Sequence, residues 1–273
     1  LNALTNEGKI VSYEYINYEV KNSAGRITFN RPDVLNSFNM SMALEVQEAL
    51  KECRDNSEIR AILITGEGRA FCAGQDLAEA VPPDGSPGPE IEDIVKTSYN
   101  PVIRLIRGIE KPVICAVNGV AAGAGANIAL ACDFVFASDA ASFIQAFVKI
   151  GLIPDSGGTW TLPRLVGLQR ATALTMLGEK LSASDAHSIG LIYKVVEAEK
   201  LLPEASGLAE YLATQPTYGI GLTKRALNKS FENSLEEQLD LEMDLQGQAG
   251  KSHDYLEGVK AFQEKRAPEF KGN

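Results

Sequence analysis

The segment GLIPDSGGTW, residues 151–160, sets one acid, Asp155, between Pro154 and a nearby glycine pair, directly after an apolar stretch. A carboxylate there has two uses. It can cap a helix that begins near Ser156, because Asp readily accepts hydrogen bonds from first-turn N–H groups. Alternatively it can act as a general base, with its pKa raised by desolvation in an apolar pocket. The two uses compete, since a carboxylate committed to cap hydrogen bonds is a weaker base.

Two other stretches offer hydrogen-bond donors. In RAFCAGQDL, residues 69–77, Ala73 beside Gly74 lets the main chain approach a ligand closely and aim an N–H into a pocket. A tight turn would explain the same residues. In NGVAAGAGANIALACD, residues 118–133, small residues lead from a strand into an apolar helix, which places unsatisfied N–H groups at the strand's carboxyl end. Such groups can stabilise a developing negative charge, although close helix packing through Gly and Ala would produce the same composition. The run GAGANI is not a dinucleotide fingerprint, because Ile128 stands where the third glycine belongs.

Other chemistries find little support. The histidines are His187 and His253, no serine lies in a G-x-S-x-G setting, and there is no P-loop. His187, in SASDAHSIG, reads as a helical surface or packing residue. Cys53, Cys72, Cys115 and Cys132 form no CxxC pair and have no histidine at metal-ligand spacing, so neither a metal site nor a disulfide framework is expected. Reduced cysteines and the lack of a long apolar run or leader pattern point to a cytoplasmic protein without a membrane span. A formal net charge of −10 disfavours nucleic acid as a partner, though local basic residues leave room for a small molecule carrying phosphates.

The elements that must position these residues alternate. Residues 1–13 show no clear periodicity and read as a loose tail, followed by an α/β core over 14–200 and a helical region over 201–273. INYEVKNSAGRITFNRP reads as a hairpin turning at Asn22-Ser23-Ala24-Gly25 and closed by Pro32. SMALEVQEALKECRDN is an amphipathic helix with Ser41 as its cap. RAILITG is a buried strand, then come a helix near 98–109, the strand PVICAVNG, a helix from about 123 and the strand DFVFAS. Apolar runs alternating with helices indicate strands covered on both faces. VPPDGSPGPE, residues 81–90, is a surface loop. Beyond about residue 200 four helical segments follow one another, forming an added layer or an oligomerisation surface.

In this order, NRPDVLNSF, GRAFCAGQDL, KPVICAVNGVAAGAG, GLIPDSGGTWTLPRLVG and GVKAFQEKR resemble blocks of the crotonase, or enoyl-CoA hydratase/isomerase, superfamily, from about residue 16 to the C-terminus. The resemblance implies an α/β spiral of ββα units whose C-terminal helices mediate homotrimers, usually paired as hexamers. It implies an acyl-CoA substrate, with coenzyme A entering as part of the thioester and no separate cofactor or metal. The thioester oxygen would be held by two backbone N–H groups, which carry over to Ala73 and Ala124, with Gly123 and Gly125 shaping the second. Asp33, Val34, Leu35, Gly74, Gln75, Asp76 and Leu77 would lie along the substrate's CoA moiety, and Phe262 and Lys265 match a C-terminal pair that contacts CoA, often from a neighbouring subunit. Hydratases of the superfamily use two glutamates, and the block alignment places Asn127 and Phe147 at those positions. Neither can transfer a proton in that role, which disfavours water addition. Asp155 falls where several isomerase branches place their acid, and one acid suits an isomerisation. FCAGQDL and AFVKIGLIPDSGGTW are especially similar to the branch that isomerises a ring-1,2-epoxide thioester in aerobic phenylacetate degradation, and Phe147 would give an apolar wall fitting a ring or a chain.

Overall fold

The computed structural model describes residues 3–4, 10–11, 13–81 and 86–273. Within the segment expected to be a loose tail, Ala3–Leu4 and Ile10–Val11 pair antiparallel; the rest of it up to residue 12 lies outside the described residues. The hairpin forms from Ile16–Lys21 and Ala24–Phe29. Its turn is tighter than the sequence suggested, because Asn22 and Ser23 both take left-handed φ values of 49° and 57° and leave Ala24 and Gly25 in the strand. A two-residue turn of that hand matches the twist of the strands it joins.

Ile16–Lys21 and Ala24–Phe29 form one edge of a six-stranded sheet that continues through Ala61–Gly66, Val113–Val117, Phe134–Ser138 and Lys194–Val196, parallel beyond the hairpin. A second, four-stranded sheet holds Ala70–Cys72, Val120–Ala122, Ser142–Ile144 and Lys180–Ser182. The chain visits the sheets in turn. Ala61–Gly66 in the large sheet is followed by Ala70–Cys72 in the small one, Val113–Val117 by Val120–Ala122, and Phe134–Ser138 by Ser142–Ile144. Each pair leads into a helical segment, so the backbone climbs in ββα turns as a spiral. The walls between the turns are apolar: every residue of Val113–Val117 is buried, and so are all but the last of Ala61–Gly66.

The helix over Met40–Asp55 begins at Asn39, whose side chain accepts from Met42 N at 2.9 Å, so the cap is Asn39 and not Ser41. The helix expected near 98–109 starts earlier. Helical structure runs from Ile91 to Gly108, with a single π-turn over Val95–Tyr99. Gln47, buried on the neighbouring helix, meets the distorted turn by donating to Thr97 O at 2.9 Å. The π-turn carries Tyr99, whose ring stacks on Phe38 at 5.7 Å while Phe38 meets Phe29 edge-on at 5.5 Å, tying the site wall to the core.

After Lys194–Val196 only helices follow among the described residues: Ala198–Ala213, Thr217–Lys229, Leu235–Ala249 and His253–Glu264. The layer is fastened by ionic contacts. Lys224 is buried, and its ammonium donates to Ile106 O and to the Asp133 carboxylate, each at 2.8 Å. Arg107 stands 3.5 Å from the other Asp133 oxygen and donates to Asn228. Removing one member of a buried pair strands the other charge. Lys224→Met is therefore expected to lower unfolding free energy by about 3 kcal/mol in urea denaturation. The C-terminus is tied down as well: the buried Asp254 carboxylate accepts from Lys271 N and Gly272 N, both at 2.7 Å.

Candidate active site

A cavity of about 210 Å³ opens where the spiral's turns meet. Its lining includes Ala73, Gly74, Gln75, Leu77, Gly123, Ala124, Phe147 and Asp155 from the expected site, together with Ile91, Ile94, Val95, Tyr99, Lys149, Ile150 and Leu152. Most of these side chains are apolar, and Asp155 is the acid among them.

Asp155 does not cap a helix. The helix begins at Gly158, its cap residue is Gly157, and no side chain bonds there. Among the described residues the carboxylate instead accepts a single side-chain hydrogen bond, from Ser156 Oγ at 2.8 Å. Burial holds the carboxyl above the usual aspartate range, and the Ser156 hydroxyl opposes the shift. This is the environment of a base and not of a cap.

The donor expected at Ala73 is corrected by the structure. Ala73 N–H already donates to Leu35 O at 3.0 Å. The neighbouring backbone explains which group is free instead. Phe38 and Gln75 form an isolated parallel bridge, in which Phe38 N donates to Gly74 O at 2.7 Å and Asp76 N donates to Phe38 O at 2.9 Å. Successive amides of an extended segment point to opposite sides, so Gln75 N–H faces away from Phe38 and has no hydrogen-bond partner among the described residues. Gly74 makes the geometry possible. Its φ is +95°, and a Cβ there would stand 2.9 Å from Ala122 O and 3.8 Å from Ala124 N. The backbone of 74–75 thus lies against the start of the helix Ala124–Leu130. Ala124, the first residue of that helix, is buried, and its N–H is likewise unpartnered among the described residues. Gly123, with φ +53°, turns the chain into it.

The remaining expected residues separate into those around the cavity and those behind it. Gly125 faces the strand Ala70–Cys72, where a Cβ would stand 2.4 Å from Cys72 O, so it shapes the site by close packing. Asp76 is engaged in structure, ion-paired to Arg31 at 2.8 Å and capping Ala78 N at 3.1 Å. Asp33 and Val34 are exposed on the short turn Pro32–Val34, and Leu35 follows with its carbonyl on Ala73. Phe147 is 6% exposed and lies 3.8 Å from the Cβ position of Gly123. Asn127 is buried outside the lining. Phe262, 86% exposed, and Lys265 belong to the end of the last helix and do not line the cavity. Sequence reasoning missed Tyr99, whose hydroxyl donates to Gln75 Oε1 at 2.6 Å, and Gln145, which holds Asn127 at 2.8 Å.

The profile of the family described as Enoyl-CoA hydratase/isomerase matches residues 19–273. The chain is 52% identical over 260 residues to the 1,2-epoxyphenylacetyl-CoA isomerase of Escherichia coli (strain K12), covering 95% of this chain and 99% of that protein. It is 44% identical to a Rhodobacter capsulatus protein named "Probable enoyl-CoA hydratase", over 96% of this chain and all of that one. The crystal structure of an enoyl-CoA hydratase from Bacillus anthracis superposes with a TM-score of 0.88 at 32% identity, covering 95% of this chain and 100% of that chain. With the ββα spiral and C-terminal helices already described, these matches establish that the chain belongs to the enoyl-CoA hydratase/isomerase family.

Proposed function

We propose that the protein is an acyl-CoA isomerase acting through a thioester enolate, on 1,2-epoxyphenylacetyl-CoA and on linear enoyl-CoA thioesters. The observation that carries this reading is the pairing, in the lining of one apolar cavity, of a single carboxylate with two residues, Gln75 and Ala124, whose backbone N–H groups have no partner among the described residues. The 52% identity to the Escherichia coli 1,2-epoxyphenylacetyl-CoA isomerase supports the ring-epoxide substrate.

The chemistry follows from the parts. Asp155 takes a proton from the carbon beside the thioester carbonyl, and the C–H electron pair moves onto the carbonyl oxygen to form the enolate. Donors aimed at that oxygen stabilise the charge as it develops, by about 3 to 4 kcal/mol each. With a linear enoyl thioester the carboxyl then returns the proton to a different carbon of the conjugated system. With the ring epoxide the carbon–carbon bond shared by the oxirane and the six-membered ring also breaks, its electrons forming the π bonds of the seven-membered ring, and the proton returns to a ring carbon. Both isomerisations therefore balance without water or an electron acceptor. Hydration needs a second group to split water, and Asn127 and Phe147 supply none.

Two measurements test this. Incubation with a 3-enoyl-CoA, a trans-2-enoyl-CoA and the epoxide thioester should give isomers, whereas dominant formation of 3-hydroxyacyl-CoA would contradict it. The pH profile is the second. The ionised carboxylate is the base and burial raises its pKa, so kcat should fall with decreasing pH at a midpoint above the ordinary 3.8 of aspartate.

A further inference from the structure

Asn127 lies behind the cavity, yet its side chain reaches the acid-bearing turn. Its Nδ2 donates to the backbone carbonyl of Asp155 at 2.8 Å, and its Oδ1 accepts from Gln145 Nε2 at 2.8 Å. Both side chains are buried, Asn127 1% and Gln145 5% exposed. The contact is close: a Cβ added at Gly158 would stand 2.3 Å from Asn127 Nδ2. Asp155 O also accepts from Gly158 N at 2.8 Å, so two donors fix one carbonyl.

The turn they fix is one that would otherwise relax. Ser156 takes φ 51° and Gly157 φ 74°. A left-handed conformation at a non-glycine residue costs about 1 to 2 kcal/mol and persists where the surroundings hold it. Asn127 sits one turn along the helix Ala124–Leu130 from Ala124. A single turn of helix therefore carries both Ala124, which lines the cavity and whose N–H has no partner among the described residues, and the amide that holds the acid's backbone. An amide is needed for this, because Nδ2 must donate to a carbonyl while Oδ1 accepts from Gln145.

On the reading of Asp155 as the base, we propose that Asn127, locked by Gln145, is a positioning residue that sets the Asp155 carboxylate against the Ala124 N–H. Asn127→Leu keeps the shape and neutrality and removes both hydrogen bonds. Displacement of a reacting group by about 1 Å costs on the order of 100-fold in rate, so kcat should fall about 10- to 100-fold with KM within about twofold. Gln145→Met releases the amide but leaves it in place, and should lower kcat about 3- to 10-fold by the same effect. A freed turn also lets water reach the carboxylate, so the acid limb of the kcat profile should move to lower pH. The Ser156 hydroxyl, which bonds that carboxylate, and Tyr99 and Lys149, which line the same cavity, are untouched by either change.

Both variants and Asp155→Asn should be assayed together with thermal melting. Lost kcat at steady KM, with a shifted acid limb, supports the positioning role. Unchanged kcat in both folded variants overturns it, as does a loss with an unmoved limb and a proportional rise in KM. If Asn127→Leu does not fold, Gln145→Met decides. Retained turnover in Asp155→Asn would instead remove the base itself, which separates failure of that reading from failure of the positioning role.

Discussion

Asp155→Asn is expected to reduce isomerase kcat by about 10²- to 10⁴-fold, the range a positioned general base contributes. The substitution preserves size and the Ser156 contact while removing the capacity to take a proton. Stability should move the other way. The folded protein binds the Asp155 proton more tightly than the unfolded chain, because desolvation raises the carboxyl's pKa. Folding stability therefore falls as pH rises from 3.8 through that raised value, and above it the ionised group destabilises the fold. At pH 7 the Asn variant should consequently melt at a higher temperature than the parent. Loss of turnover together with a higher melting temperature is the signature of an acid retained for chemistry; a lower melting temperature would indicate that the carboxylate serves the fold instead.

The second large effect concerns the backbone donors, which have no side chain to delete. Gly74→Ala acts on them indirectly. The added methyl would meet Ala122 O at 2.9 Å in a left-handed conformation, pushing 74–75 away from Ala124. Losing one donor from such a pair costs about 10²- to 10³-fold in kcat, and that range is expected here. The readout is kcat in a variant whose circular dichroism is unchanged. A folded Gly74→Ala protein with parental kcat would mean that Gln75 N–H does not face the reacting oxygen.

How much of this was legible in the sequence depended on length and on pairing. Ala61–Gly66, Val113–Val117 and Phe134–Ser138 are five- or six-residue strands, each carrying an unbroken apolar run of four or five residues, so they stood out. Their partners in the small sheet, Ala70–Cys72, Val120–Ala122 and Ser142–Ile144, have three residues each, too few to show a period. The cavity lies beside these short strands, so the site was visible through its glycines and its acid and not through its scaffold. The donor was misplaced by two residues for a related reason. Which amide of 73–76 is free depends on the bridge between Phe38 and Gln75, a long-range pairing that leaves no local pattern. Gln145 was invisible because a polar residue between elements normally faces water, whereas here it is buried against Asn127. Asp155 could be found because a proline and two glycines around an acid, after an apolar run, have few structural explanations. The structure removed one of them by starting the helix at Gly158.

Proton transfer beside the thioester can be observed without waiting for product. In D2O, with a saturated acyl-CoA that cannot isomerise, nuclear magnetic resonance follows exchange at the carbon next to the carbonyl. Deuterium incorporation by the parent enzyme, reduced to the uncatalysed rate in Asp155→Asn and strongly slowed in Gly74→Ala, is predicted. Exchange that persists undiminished in folded Asp155→Asn would contradict a mechanism in which this carboxylate removes the proton.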